Sequence, residues 1–122
     1  MIIVIAEDEA DTRDMMKVLL ELEGHEVYAA ADGQQAVAVA TANKPDLVLM
    51  DLSMPVMDGF AATRALRQSP ATRAIPVIAV SAYVSDKEWC DRALAAGCIE
   101  CVPKPVDYAK LGEILGRFAP AA

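Results

Sequence analysis

Apolar residues fall in short blocks separated by longer mixed segments. The blocks are "IIVIA" at 2–6, "EVYAA" at 26–30, "DLVLM" at 46–50, "PVIAV" at 76–80 and "CIECV" at 98–102. Each has the length of a strand and is too short for a stable helix. The runs at 2–6, 47–50 and 77–80 are continuously apolar, as central strands covered on both faces require. "EVYAA" mixes polar and apolar positions and suits an edge. Between the blocks the apolar period lengthens. Residues 11–23 place Met15, Met16, Leu19, Leu20 and Leu22 at helical spacing, with Gly24 as the stop, and the methionines are expected to pack in the core. Asp32, Asp58, Asp86 and Asp107 stand where caps would open helices over 33–43, 59–68, 87–96 and 108–119. In the last of these, Tyr108, Leu111, Leu115 and Phe118 form one stripe. Strand and helix alternate to the end, which predicts an α/β domain: a parallel sheet of five strands with helices on both faces. A chain of 122 residues accommodates one such domain over 1–122.

Composition narrows the function. The chain is 55% hydrophobic and 24% charged, as in globular proteins. Eighteen acids against eleven bases give a net charge of -7, so there is no basic field for a phosphate backbone and direct nucleic-acid binding is not expected. The opening apolar run is too short for the core of an export signal, and no run approaches the roughly 18 residues of a membrane span, so a cytoplasmic protein is expected. Three cysteines, Cys90, Cys98 and Cys101, then predict reduced thiols rather than a disulfide. Cys98 and Cys101 have CxxC spacing, but on one strand they would point to opposite faces and could not chelate together.

The chemistry collects at one rim. In an open parallel sheet, ligands bind beyond the carboxyl ends of the strands. The first strand ends in Glu7 and Asp8, and the third, in "LVLMDLSMPVMDG", ends in Asp51. The fourth ends in Ser81, and "VPKP" sets Lys104 just past the fifth. With the strand order of a doubly wound sheet, Glu7, Asp8 and Asp51 converge, and such a group is costly unless a cation sits among the carboxylates. Hard oxygen ligands with room for water suit Mg²⁺, and Lys104 adds a fixed positive charge. A cation and an ammonium group around one carboxylate, with a hydroxyl nearby, suit a phosphoryl group. Asp51 would be the nucleophile that takes it as an acyl phosphate. Each residue also has a plainer reading: Asp8 as a helix cap, Ser81 as a turn residue, Lys104 as a solvated loop charge.

In order and spacing, "IAEDE", "LMDLSMPVMDG", "VIAVSA" and "VPKP" resemble the receiver domain of response regulators in two-component signalling, across essentially the whole chain. The resemblance implies a flavodoxin-like sheet of order 2-1-3-4-5. It implies that Asp51 is phosphorylated by a histidine kinase or a histidine phosphotransfer protein. Mg²⁺ would be held by Asp8, Asp51 and the backbone carbonyl of Ser53, with Glu7 acting through a water. Ser81 would hydrogen-bond the phosphoryl oxygens and Lys104 would pair with them, and the peptide between Lys104 and Pro105 would be cis. Ala82 is small enough to leave the phosphoryl path open, and Tyr83 is expected to shield the acyl phosphate from water. Cys101 departs from the Tyr or Phe that the family usually carries as an aromatic switch. An unknown output protein would meet the fourth helix, fifth strand and fifth helix, where Trp89 and Tyr108 are candidate anchors.

The resemblance implies either a stand-alone receiver or one excised from a hybrid kinase or larger regulator. Three other readings compete. An Mg²⁺-dependent aspartyl phosphatase would want a second aspartate where Ser53 stands. A flavin module would want a phosphate loop where the first acids stand. A docking module that never takes a phosphate would not need the acceptor residues.

Overall fold

The computed structural model describes residues 1–82 and 86–118. Along them run β1 (Ile2–Ala6), α1 (Ala10–Leu22), β2 (Glu26–Ala30), α2 (Gly33–Asn43), β3 (Leu47–Asp51), α3 (Gly59–Gln68), β4 (Val77–Ser81), α4 (Lys87–Ala96), β5 (Glu100–Pro103) and α5 (Tyr108–Gly116). The strands form one parallel sheet of order β2-β1-β3-β4-β5, so "EVYAA" is an edge strand.

Alternation along the strands divides the core in two. Val4, Val48, Met50, Val77 and Ala79 face α2, α3 and α4, where Ala36, Ala40, Phe60, Leu66 and Ala93 are buried. Ile3, Ile5, Leu47, Leu49, Ile78 and Val80 face α1 and α5, meeting Met16, Leu20, Leu111 and Leu115. Both faces of the central strands are therefore dry, which is why their sequences are apolar throughout. Asp32, Asp58, Asp86 and Asp107 each cap their helix through the side chain, accepting from Gln35, Ala61, Glu88, and Ala109 with Lys110. Gly24 ends α1 with φ +94°, a conformation that costs glycine little.

The structure departs from the sequence expectations in several places. In α1 only Met16 and Leu20 are fully buried, whereas Met15 is 52% and Leu22 77% exposed. A helix against a twisted sheet buries a narrow stripe, and these two side chains fall outside it. β3 and β4 run one residue further than expected, so Asp51 and Ser81 are held in the sheet ladder itself. β5 begins at Glu100, leaving Cys98 in the turn after α4, and α5 ends at Gly116.

The expectation of three unpaired thiols is not met in the structure. Cys90 in α4 and Cys101 in β5 form a disulfide, with Cα atoms 6.1 Å apart, and Cys98 is the buried free thiol. The expectation that Cys98 and Cys101 point to opposite faces fails because Cys98 lies outside the strand. Strand alternation does not govern it, and both Cys98 and Cys101 border the core on the α3 and α4 side. Return of the chain from α4 into β5 brings positions 90 and 101 together. Closing that span of 11 residues restricts the unfolded chain by about 3 kcal/mol in the chain-entropy account.

Gly59 fixes how α3 departs from the end of β3. Its N–H donates to the Leu52 carbonyl at 3.1 Å, and a Cβ there would lie 2.2 Å from the Asp51 carbonyl oxygen. Gly59→Ala must therefore push helix and strand apart, with an expected loss of about 1–3 kcal/mol in urea unfolding. An unchanged midpoint would mean that the helix start is free to shift.

Candidate functional site

Four strand ends deliver the site. β1 runs directly into Glu7, which is 2% exposed, and into exposed Asp8. β3 ends on Asp51, 5% exposed, and β4 on buried Ser81. Apolar strand sequence carries these polar groups into the interior because the ladder fixes the backbone up to the last residue. One oxygen from each of Glu7, Asp8 and Asp51 lies within 4.8 Å of the others. The predicted acidic cup is thus present.

Lys104 reaches into the cup from beyond β5. Its Nζ donates to Asp51 Oδ2 at 2.9 Å and makes a short ion pair with Glu7 Oε1. Burial pulls the Lys104 pKa down, but the hydrogen bonds and charges of Glu7 and Asp51 outweigh it, leaving the ammonium above its ordinary range. Lys104 is accordingly no solvated loop charge. The peptide to Pro105 is cis, as the resemblance implied.

Backbone groups hold the rest. The Ser53 N–H donates to Asp51 Oδ1 at 3.0 Å, and the Glu9 N–H to Glu7 Oε2 at 3.3 Å. The Lys104 N–H donates to the Ser81 carbonyl at 3.1 Å, tying the ends of β4 and β5 together. Asp8 does not cap α1: the N-cap is Glu9, which makes no side-chain capping bond. Ala82 is exposed beside Ser81, while Tyr83 lies outside the described residues. Cys101 is half-buried in β5, bonded to Cys90. Trp89 and Tyr108 are both half-buried; Trp89 packs on Phe60 with ring centroids 5.3 Å apart, and Tyr108 packs against the α1 and α5 side of the core.

The roles of two contributors escaped the sequence reading. Arg13 donates to the carbonyls of Glu7 and Asp8 at 2.9 and 3.4 Å, bracing the loop that presents both acids. Nothing in its spacing marks it, since a charged residue in the first turns of a helix is commonplace. Gly59 is the other, and its place just after a capping Asp58 was the available signal.

The donor set suits a hard divalent ion. It offers carboxylate oxygens on a rigid frame, one of the three side chains is open to water, and the buried pair carries more negative charge than one ammonium neutralises. Beside Asp8 lies an open cleft of about 520 Å³ whose walls include Ser53, Asp58, Phe60, Trp89 and Arg92.

Comparison with known proteins agrees with this geometry. The response regulator receiver domain family matches residues 3–116, and the chain belongs to that family. It is therefore a receiver domain of two-component signalling. It is 41% identical to protein PilH of Pseudomonas aeruginosa over 111 residues, 89% of each chain. Against the response regulator PleD of Caulobacter vibrioides it is 37% identical over 90% of its own length but only 24% of that protein's. Among solved structures, the receiver domain of a Pseudomonas aeruginosa sensor histidine kinase superposes with a TM-score of 0.88 at 34% identity, covering 96% of this chain and 95% of that one. That structure holds a magnesium ion in its active site cleft. The chemotaxis protein CheY4 of Vibrio cholerae also superposes at 0.88, with 28% identity over 97% and 98% of the two chains. Among the described residues no helix is long and apolar enough to cross a membrane.

Removing the ammonium tests how the cup is held together. With divalent metal chelated, Lys104→Met should lower the unfolding free energy by about 3 kcal/mol, the low end for a broken buried pair because Lys104 keeps a quarter of its side chain exposed. The sign of the pH dependence follows from the raised pKa. The wild-type advantage should be full below the ordinary lysine value of 10.5 and fade as pH climbs through the higher folded value. An equal stability of the two proteins at pH 7 would contradict the pairing.

Proposed function

We propose that this receiver domain accepts a phosphoryl group on Asp51 from a histidine kinase or histidine phosphotransfer protein in the cytoplasm. The phosphoryl group then alters the α4, β5 and α5 face that an output protein reads. The observation that carries the reading is Asp51 itself: a buried strand-end carboxylate with an ammonium at 2.9 Å and two further carboxylates gathered around it.

Asp51 is poised as a nucleophile. Its β3 ladder and the Ser53 N–H fix the carboxylate, so little motion is needed to present an oxygen to phosphorus. That oxygen forms the new bond to phosphorus while the bond from phosphorus to the donor imidazole breaks. The imidazole nitrogen keeps the bonding pair and takes a proton. Asp8, Asp51 and the Ser53 carbonyl would hold Mg²⁺, with Glu7 acting through a water, and the ion when bound would supply positive charge beside the phosphoryl oxygens. Lys104 supplies the remaining positive charge from the protein side.

The product replaces one carboxylate charge by about -1.5 to -2 and adds acceptor oxygens. Lys104 then has a stronger anion to follow than Glu7 alone, and the Ser81 hydroxyl has a new acceptor. Because the Ser81 carbonyl and the Lys104 N–H are bonded to each other, the ends of β4 and β5 respond together. The segment after Ser81 leads into α4, so the charge change is delivered to that face. Ala82 leaves the approach open, and Tyr83 is placed in the chain to limit water attack on the acyl phosphate. The position of a second acid that a turnover phosphatase would use is Ser53, so the domain is read as a switch that catalyses only its own phosphotransfer and dephosphorylation.

Incubation with a small acyl phosphate and Mg²⁺, followed by intact mass, should add one phosphoryl group. Asp51→Asn, or removal of Mg²⁺, should abolish the addition. Full modification of the Asn variant would assign the acceptor elsewhere.

A further inference from the structure

Helix α4 is anchored unevenly. Its second half is sealed by Ala93 and Ala96, and the carbonyl of Gly97 just beyond it accepts two hydrogen bonds from Arg67, at 3.1 and 2.8 Å. In the first half Lys87 and Glu88 are exposed, and the helix buries no residue before Ala93. Inward attachments of that half include the tilted stacking of Trp89 on Phe60 and the Cys90 to Cys101 bridge. Arg92 lies 4.3 Å above the Phe60 ring and 5.4 Å from that of Trp89, but it is exposed and adds only a surface clamp. A covalent link thus joins β5 to the half of α4 that buries no residue.

The bridge is also placed to open and close. Both cysteines are half-buried, not sealed, so a small thiol or disulfide can reach them. Cys98 cannot compete for either partner: it is buried, its Sγ sits 3.6 Å from the Thr63 hydroxyl, and burial pushes its thiol pKa up. The exchange thus has two participants and one product.

We propose that Cys90 and Cys101 are a reversible dithiol and disulfide pair that fastens the first half of α4 to β5. This bond sets how far a phosphoryl group on Asp51 can move the α4, β5 and α5 face. The second part rests on the function proposed above; the first does not. Closure uses a small disulfide of the glutathione class as oxidant. One cysteine thiolate attacks it, releasing one thiol and leaving a mixed disulfide, and the second cysteine displaces the other thiol. Two electrons pass to the small disulfide, and the two cysteine protons end on the two departing thiols. In a reducing compartment the pair stands open and the face responds; under disulfide stress it closes and the face is held.

The test uses the full chain equilibrated with oxidised or reduced glutathione. Alkylation in denaturant, read by mass, should find three free thiols in the reduced protein and only Cys98 in the oxidised one. Native-state hydrogen exchange should then be slower over residues 89–92 in the oxidised protein by at least about tenfold, a difference absent in Cys90→Ser and in Cys101→Ser. Three thiols under both conditions, or equal exchange at 89–92, would overturn the fastening. A phosphodonor arm separates the two readings. If intact mass finds the phosphoryl group on Asp51 in both redox states, its effect on α4 exchange should be present in the reduced protein and reduced severalfold in the oxidised one. An equal effect in both states refutes control of the face, whereas no phosphorylation in either state refutes the proposed function and leaves the exchange comparison to decide the fastening.

Discussion

Two carboxylates at the ends of buried strands, Glu7 and Asp51, share one ammonium, Lys104. That shared charge is the constraint on which the rest of the rim depends. Without a cation between them the two acids repel in a medium that screens poorly, which pushes the strand ends apart. With it, β1, β3 and the turn after β5 are pinned to one point even though Lys104 and Glu7 are 97 residues apart in sequence. The balance is incomplete, because Asp8 brings a third carboxylate to the same place. That residual negative charge gives the cup its appetite for a divalent ion and for a ligand that arrives with one.

The sheet is the instrument that makes such a cup affordable. Ile3, Ile5, Leu47, Leu49, Val48 and Met50 are almost wholly removed from water, and their burial fixes the backbone on which Glu7, Asp8 and Asp51 ride. The starts of α3 and α2 press closely on Asp51 and the loop that follows it. A Cβ at Gly33 would meet the Met57 carbonyl at 2.2 Å, and one at Gly59 the Asp51 carbonyl at the same distance. The loop between β3 and α3, where Val56 takes a left-handed φ of 68°, is therefore confined between a strand end and two helix starts. Rigid support lies on one side, and an open cleft lined by Asp8 and Ser53 on the other.

Much of this was legible in the sequence for definite reasons. Continuous apolar runs give central strands, aspartates before helices give caps, and polar residues clustered after those runs give the rim, because each signal is local. What failed was long-range or depended on exact boundaries. Met15 and Leu22 have the right chemistry for a core but lie off the narrow inward stripe of α1. Cys98 looked like the strand partner of Cys101, yet β5 starts two residues after it. The bond to Cys90 arises from the way α4 leans on β5, which no spacing rule encodes. Arg13 went unnoticed because it works through backbone carbonyls, and its side chain carries no motif.

Convergence of the three acids into one cation site is the central claim, and calorimetric titration with Mg²⁺ tests it most directly. One ion per chain should bind, and Asp8→Asn and Asp51→Asn should each weaken it by at least about tenfold, since both remove a charged oxygen ligand. Wild-type affinity retained in both variants would place the cation somewhere other than the rim and contradict the account.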